Sequence, residues 1–253
     1  TLEFAAASEP PAPYGPTPTP RQLKYHRDFD GLYGFCHWSL NAWTGREWGL
    51  GGEDATLFNP TEFNADQIVG AARSAGLKGL ILTAKHHDGF CLWPTKTTEH
   101  SIRKSPWREG KGDVVREFAD ACKRQGVQFG VYISPWDRNH ADYGKPEYVT
   151  AYREQIRELL TNYGPIFEIW FDGANGGTGY YGGANEKRSV DPTSYYQWEE
   201  TFAMIRELQP NCIIYSDIGP DIRWVGDGHR GMVNDPCWAT FNPEGRNGKP
   251  PGI

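Results

Sequence analysis

Short apolar runs along the chain alternate with stretches whose apolar residues recur at helical spacing. GLYGFCHW (31–38) reads as a short aromatic strand, and LKGLILTAKHHDGF (77–90) as a buried strand running into a polar end. VQFGVYISPWD (127–137), PIFEIWFDG (165–173) and NCIIYSDIGPD (211–221) repeat that form. Between them, 65–76, 112–126, 147–164 and 192–210 carry apolar residues at helical spacing. Gly76 and Gly126 stand as helix stops, and Asp113 stands near a helix start.

Strands alternating with helices predict an α/β fold with a parallel sheet. A doubly wound sheet calls for a Gly-rich phosphate loop after an early strand, and none is visible. A (β/α) TIM-like barrel suits the pattern better, because each apolar strand ends in charged or aromatic residues. Five strands are clear, with room for a sixth past residue 230, whereas eight close such a barrel. The tail 239–253 is loop-like. The expected organisation is therefore an extended Pro-rich arm over 1–20, then a barrel domain over 21–253, truncated at the C-terminus of this chain.

The length of 253 residues suits one large core. A net charge of −6 argues against a nucleic-acid partner, since nothing compensates the phosphates. No apolar run approaches the ~20 residues needed to span a bilayer. The five cysteines, Cys36, Cys91, Cys122, Cys212 and Cys237, lack zinc-type spacing and read mostly as small buried hydrophobes. Ten Trp, 13 Tyr and 12 Phe offer ring faces for core packing or for the apolar faces of sugars.

The strand ends bring chemistry together. Successive ends carry His37, then Lys85-His86-His87-Asp88, then Tyr132 with Trp136-Asp137, then Trp170 and Asp172, then Asp217 with Asp221-Arg223-Trp224. One such residue is commonly a helix cap or a hydrogen-bonded structural group. Five strands ending this way point to a site. A metal centre would use His86, His87 and an Asp; neighbours along a strand point to opposite faces, which disfavours shared chelation, although a turn of the backbone after the strand end would still allow it. The Gly-x-Ser-x-Gly turn of a serine nucleophile is missing. Carboxylate chemistry on a sugar needs Asp or Glu with aromatics and His or Arg donors, and all are present.

Five ordered segments carry a resemblance: FCHWSLNAWTGREWGLGGED (35–54), ILTAKHHDGFCLW (81–93), FGVYISPWDR (129–138), IWFDGANG (169–176) and GPDIRWVG (219–226). Together they resemble α-L-fucosidases of glycoside hydrolase family 29, most of all the α-1,3/1,4 branch. The resemblance implies a retaining exo-α-L-fucosidase that needs no cofactor or metal, with fucosylated oligosaccharides or glycoconjugates as partners. It implies Asp172 as nucleophile, at the end of the fourth strand, and His37, Glu47, Trp48, His86, His87, Tyr132, Trp170 and Arg223 as fucose-binding residues. The outlying glycan substrate, with an arm-like start, implies a secreted or periplasmic protein.

One segment departs from the family pattern. In the related branch, Gly-Asn-Glu follows the GPDxRW segment and its Glu is the general acid/base. Here the chain reads Gly226-Asp227-Gly228-His229-Arg230. Asp227 is the first candidate for the acid, Glu244 the second, and a residue beyond Ile253 a third. Loss of the acid would instead leave a non-catalytic fucose-binding protein.

Overall fold

The computed structural model describes residues 18–28, 32–216 and 220–222. Five strands form one parallel sheet: β1 (Tyr33–Cys36), β2 (Gly79–Lys85), β3 (Gln128–Ile133), β4 (Glu168–Trp170) and β7 (Ile213–Tyr215). Their spatial order follows the chain without reversal. Helices α3 (Ala65–Ser74), α4 (Val114–Gln125), α5 (Pro146–Asn162) and α6 (Trp198–Leu208) connect them. A parallel sheet whose right-handed crossovers all step one way is singly wound, so its helices collect on one face. The switch point of a doubly wound sheet is absent among the described strands.

The sequence sets these boundaries locally. Asn64 caps α3 by accepting from Gln67 N at 3.0 Å, and Asp113 caps α4 by accepting from Arg116 N at 2.8 Å. Gly126 ends α4 at φ +70°, in the left-handed region that glycine enters without penalty. Pro146 opens α5, where the missing N–H costs no intrahelical bond.

Side chains alternate across the sheet as strand geometry requires. Leu80, Leu82, Ala84, Val131, Ile169 and Ile214 join the large cluster packed with the helices. On the other face Phe35, Tyr132, Trp170 and Tyr215 form a row across four strands, with successive ring centroids 4.4–5.8 Å apart. The described cysteines Cys36, Cys91, Cys122 and Cys212 are free thiols, and the last three are buried.

Two features depart from the expected layout. Helix α1 (Pro20–Asp28) begins at the end of the presumed arm and docks through Tyr25, which donates to Glu168 Oε2 at 2.7 Å. After Asp172, β5 (Gly176–Gly179) and β6 (Glu186–Ser189) pair as an antiparallel hairpin. The β5 sequence, Gly-Gly-Thr-Gly, has low strand propensity, so its pairing with β6 is not signalled in the sequence. The short helix α2 (Asn41–Thr44) follows β1 and opens the segment that carries Glu47 and Trp48.

Candidate active site

All chemistry-bearing strand ends in the described sheet lie at its carboxyl edge. Asp172 stands two residues past β4, partly buried, and accepts from the Tyr132 hydroxyl at 3.2 Å through Oδ2. A neutral tyrosine is needed for that donation, and burial, with the Asp172 charge beside it, holds the Tyr132 pKa well above its ordinary value. Gly173 follows at φ +79°, and a Cβ there would meet His87 Cε1 at 2.2 Å. Glycine is thus required twice over, by backbone angle and by the close imidazole.

Three histidines complete the cluster. The His37 and His86 rings are 4.8 Å apart, and those of His86 and His87 are 4.2 Å apart. His86 also stacks on Tyr132 at 5.8 Å. The adjacent histidines therefore do not diverge as strand alternation would have them, and the turn after the strand end is what the structure adopts. β2 ends at Lys85, so the strand alternation stops before His86 and the backbone turns both rings to one side.

Burial keeps these imidazoles neutral. It lowers the His37 pKa despite the opposing pull of the Glu47 charge, and brings His86 down to about 3 with help from His37. His87 is held well below its ordinary value by burial first, then by His86, His37, Arg138 and Lys85. Each ring has one polar anchor through Nδ1: Thr83 Oγ1 for His37 at 2.7 Å, Asn41 Nδ2 for His86 at 3.4 Å, and Ser134 Oγ for His87 at 2.6 Å.

Aromatic walls surround them. Trp48, 51% exposed, sets its edge against His87 at 5.4 Å and Trp136 at 6.2 Å. Trp170 lies 5.7 Å from Tyr132. The loop bearing Glu47 and Trp48 is tied down at both ends. Asn41 Nδ2 donates to Glu47 O, Arg138 Nη1 to Gly49 O, and Asn139 Nδ2 to Gly51 O at 2.7 Å. The hairpin adds Tyr180 N to Leu50 O at 3.0 Å. Glu47 is exposed and close enough to His37 to act on it electrostatically.

Beneath the site lies a buried ion pair. Lys85 Nζ donates to Asp137 Oδ2 at 3.2 Å, Tyr148 Oη at 3.1 Å and Gln155 Oε1 at 2.9 Å. Burial alone would raise the Asp137 pKa, but Lys85, His140 and the His140 N–H outweigh it and the net direction is down.

The sequence-predicted residues His37, Glu47, Trp48, His86, His87, Tyr132, Trp170 and Asp172 therefore come together. Arg223, Asp227 and Glu244 lie outside the described residues. Asn41, Thr83 and Ser134 were missed as site residues, although they stand inside the quoted segments 35–54, 81–93 and 129–138. A cavity of about 790 Å³ lies at the opposite edge of the sheet, lined by Tyr25, Gln128, Phe167 and Ile213 near the strand starts. It contains none of the site residues.

A carboxylate, neutral imidazoles and aromatic faces around one space suit a polyhydroxylated ring. The comparisons agree with that chemistry. The alpha-L-fucosidase family model matches residues 33–229. The chain is 43% identical to alpha-L-fucosidase 1 of Arabidopsis thaliana over 233 residues, covering 92% of this chain and 43% of that protein. A glycoside hydrolase 29 family member from an unknown rumen bacterium superposes with a TM-score of 0.84 at 53% identity, covering 94% of this chain and 44% of that one. A Ruminococcus gnavus family 29 fucosidase mutant, crystallised with fucose, superposes with a TM-score of 0.70 at 28% identity, covering 89% and 48%. The chain belongs to the alpha-L-fucosidase family, glycoside hydrolase family 29. It spans less than half the length of the curated relatives it matches.

Proposed function

We propose that this protein is a retaining exo-α-L-fucosidase acting on terminal α-1,3/1,4-linked fucose of glycans, with Asp172 as nucleophile. The observation that carries the reading is the Asp172 carboxylate, held by the Tyr132 hydroxyl within reach of the histidine cluster. The singly wound sheet supports a (β/α) barrel, whose chemistry gathers at the carboxyl ends of its strands.

In this mechanism an Asp172 oxygen attacks the anomeric carbon as the bond to the leaving oxygen breaks. The general acid gives that oxygen its proton. Water then attacks the glycosyl ester, the same group takes a proton from the water, and Asp172 is released. Two displacements on one carbon return the original anomer. Neutral histidines exchange hydrogen bonds with ring hydroxyls without adding charge, and Trp48 and Trp170 offer apolar faces. Arg223 completes the grip, and Asp227 serves as acid/base, supported by its place as the carboxylate in the matching loop. The substrate class also supports action outside the cytoplasm, as a secreted or periplasmic protein. NMR of the first product from an aryl α-L-fucoside tests the stereochemistry: the α-anomer supports retention, and the β-anomer rejects it.

A further inference from the structure

The two adjacent histidines make their ring hydrogen bonds to unlike partners, and those partners determine where each ring carries its hydrogen. Ser134 Oγ has one hydrogen and three neighbours: Trp136 O at 2.8 Å, Asp172 O at 3.4 Å and His87 Nδ1 at 2.6 Å. A carbonyl oxygen only accepts, so the hydroxyl hydrogen is best used on Trp136 O. His87 Nδ1 must then supply the hydrogen between itself and Ser134, since two lone pairs at that separation repel. A neutral ring with hydrogen on Nδ1 has a bare Nε2.

The opposite holds for His86. Asn41 Nδ2 faces Glu47 O at 3.3 Å, and because that carbonyl only accepts, the amide orientation is fixed. The second N–H of the same amide reaches His86 Nδ1 at 3.4 Å. His86 therefore accepts at Nδ1 and carries its hydrogen on Nε2.

We infer that Ser134 and Asn41 are positioning residues that give His87 and His86 opposite polarity, one Nε2 accepting and the other donating. Resting on the fucosidase reading, this deepens it into a recognition rule. A substrate hydroxyl at His87 must donate, so its replacement by fluorine or a methyl ether is rejected. A hydroxyl at His86 needs only to accept there.

The test reads the tautomers without substrate. In protein labelled with 15N-histidine, long-range proton–nitrogen correlation at neutral pH should show hydrogen on Nδ1 of His87 and on Nε2 of His86. The same tautomer on both rings overturns the inference, whatever the activity. Ser134→Ala should shift His87 toward the other tautomer and raise KM for an aryl fucoside about tenfold with kcat nearly unchanged. Ser134→Thr, which restores the hydroxyl, should recover both. A folded Ser134→Ala protein with His87 and KM unchanged removes the positioning role. If no fucoside is turned over while the tautomers stand as stated, the fucosidase reading fails and the ring polarities remain.

Discussion

The Tyr132 hydroxyl donates to Asp172 Oδ2 at 3.2 Å, joining the third and fourth strands of the sheet at their carboxyl ends. Val131 and Tyr132 pair in register with Ile169 and Trp170, which brings the two strand ends level. The phenol thus anchors the carboxylate that the proposed reaction uses. A hydrogen bond to a charged group contributes about 1.5–3 kcal/mol. Tyr132→Phe should therefore keep the fold and lower kcat/KM for an aryl fucoside by roughly 10- to 100-fold. Unchanged kinetics in a folded protein would separate Tyr132 from Asp172 function.

Trp48 is half exposed at the mouth of the cluster, against His87 and Trp136. Its removal costs little core burial. Trp48→Ala should leave the melting temperature within a few degrees and raise KM several-fold, with a smaller effect on kcat. A large fall in melting temperature with unaltered KM would make Trp48 a packing residue.

The Lys85 ammonium is fully buried and paired with Asp137. Replacing it with Met removes the partner and leaves a buried carboxylate uncompensated. Such losses cost about 3–5 kcal/mol. Urea unfolding of Lys85→Met should show that loss, together with weakened activity, because the Asp137 turn orders Asn139 and His140 beside the site loop. Stability equal to wild type would show that the buried pair contributes nothing to the folded state.

Glu168 sits in β4 with Oε1 lacking a hydrogen-bond partner, and burial lifts its pKa to about 7. The folded state then holds a proton that the unfolded state releases from about pH 4.5 upward. Its contribution to stability is thus lost as pH rises toward 7. Glu168→Gln keeps an acceptor for Tyr25 and cannot ionise. Its stability relative to wild type should rise across that window, by about 3 kcal/mol at the plateau. Thermal unfolding from pH 4 to 8 checks this, and a difference that is flat with pH contradicts it.

Asp227 is proposed as the acid that protonates the leaving oxygen. Asp227→Ala should slow hydrolysis of natural fucosides by about 100-fold or more while leaving activated aryl fucosides largely intact, with azide raising turnover of the latter. Silence on both substrates would pass the role to Glu244 or another carboxylate.

The strands that build the site were legible because each is an apolar run ending in a polar cluster. β2 is buried along its whole length and then opens into His86 and His87. Helix α1 was not legible: among its nine residues only Tyr25 is buried, so its sequence carries little apolar periodicity. What fixes it is a tertiary contact, the bond from Tyr25 to Glu168, far away in sequence. The histidine pair shows a different limit. Strand alternation separates the two rings, whereas a turn after the strand end brings them together, and only the structure shows that β2 stops at Lys85. Ser134 was overlooked because its role depends on three partners brought together by folding, at residues 87, 136 and 172.

In the proposed reaction Asp172 forms a covalent bond to the sugar. The protein should be incubated with a fucosyl fluoride carrying an electronegative 2-substituent, which slows release of the ester more than its formation. Peptide mass spectrometry should then find the sugar on Asp172, and Asp172→Ala should take up none. A sugar adduct on another carboxylate, or full hydrolytic activity in folded Asp172→Ala protein, would contradict the account.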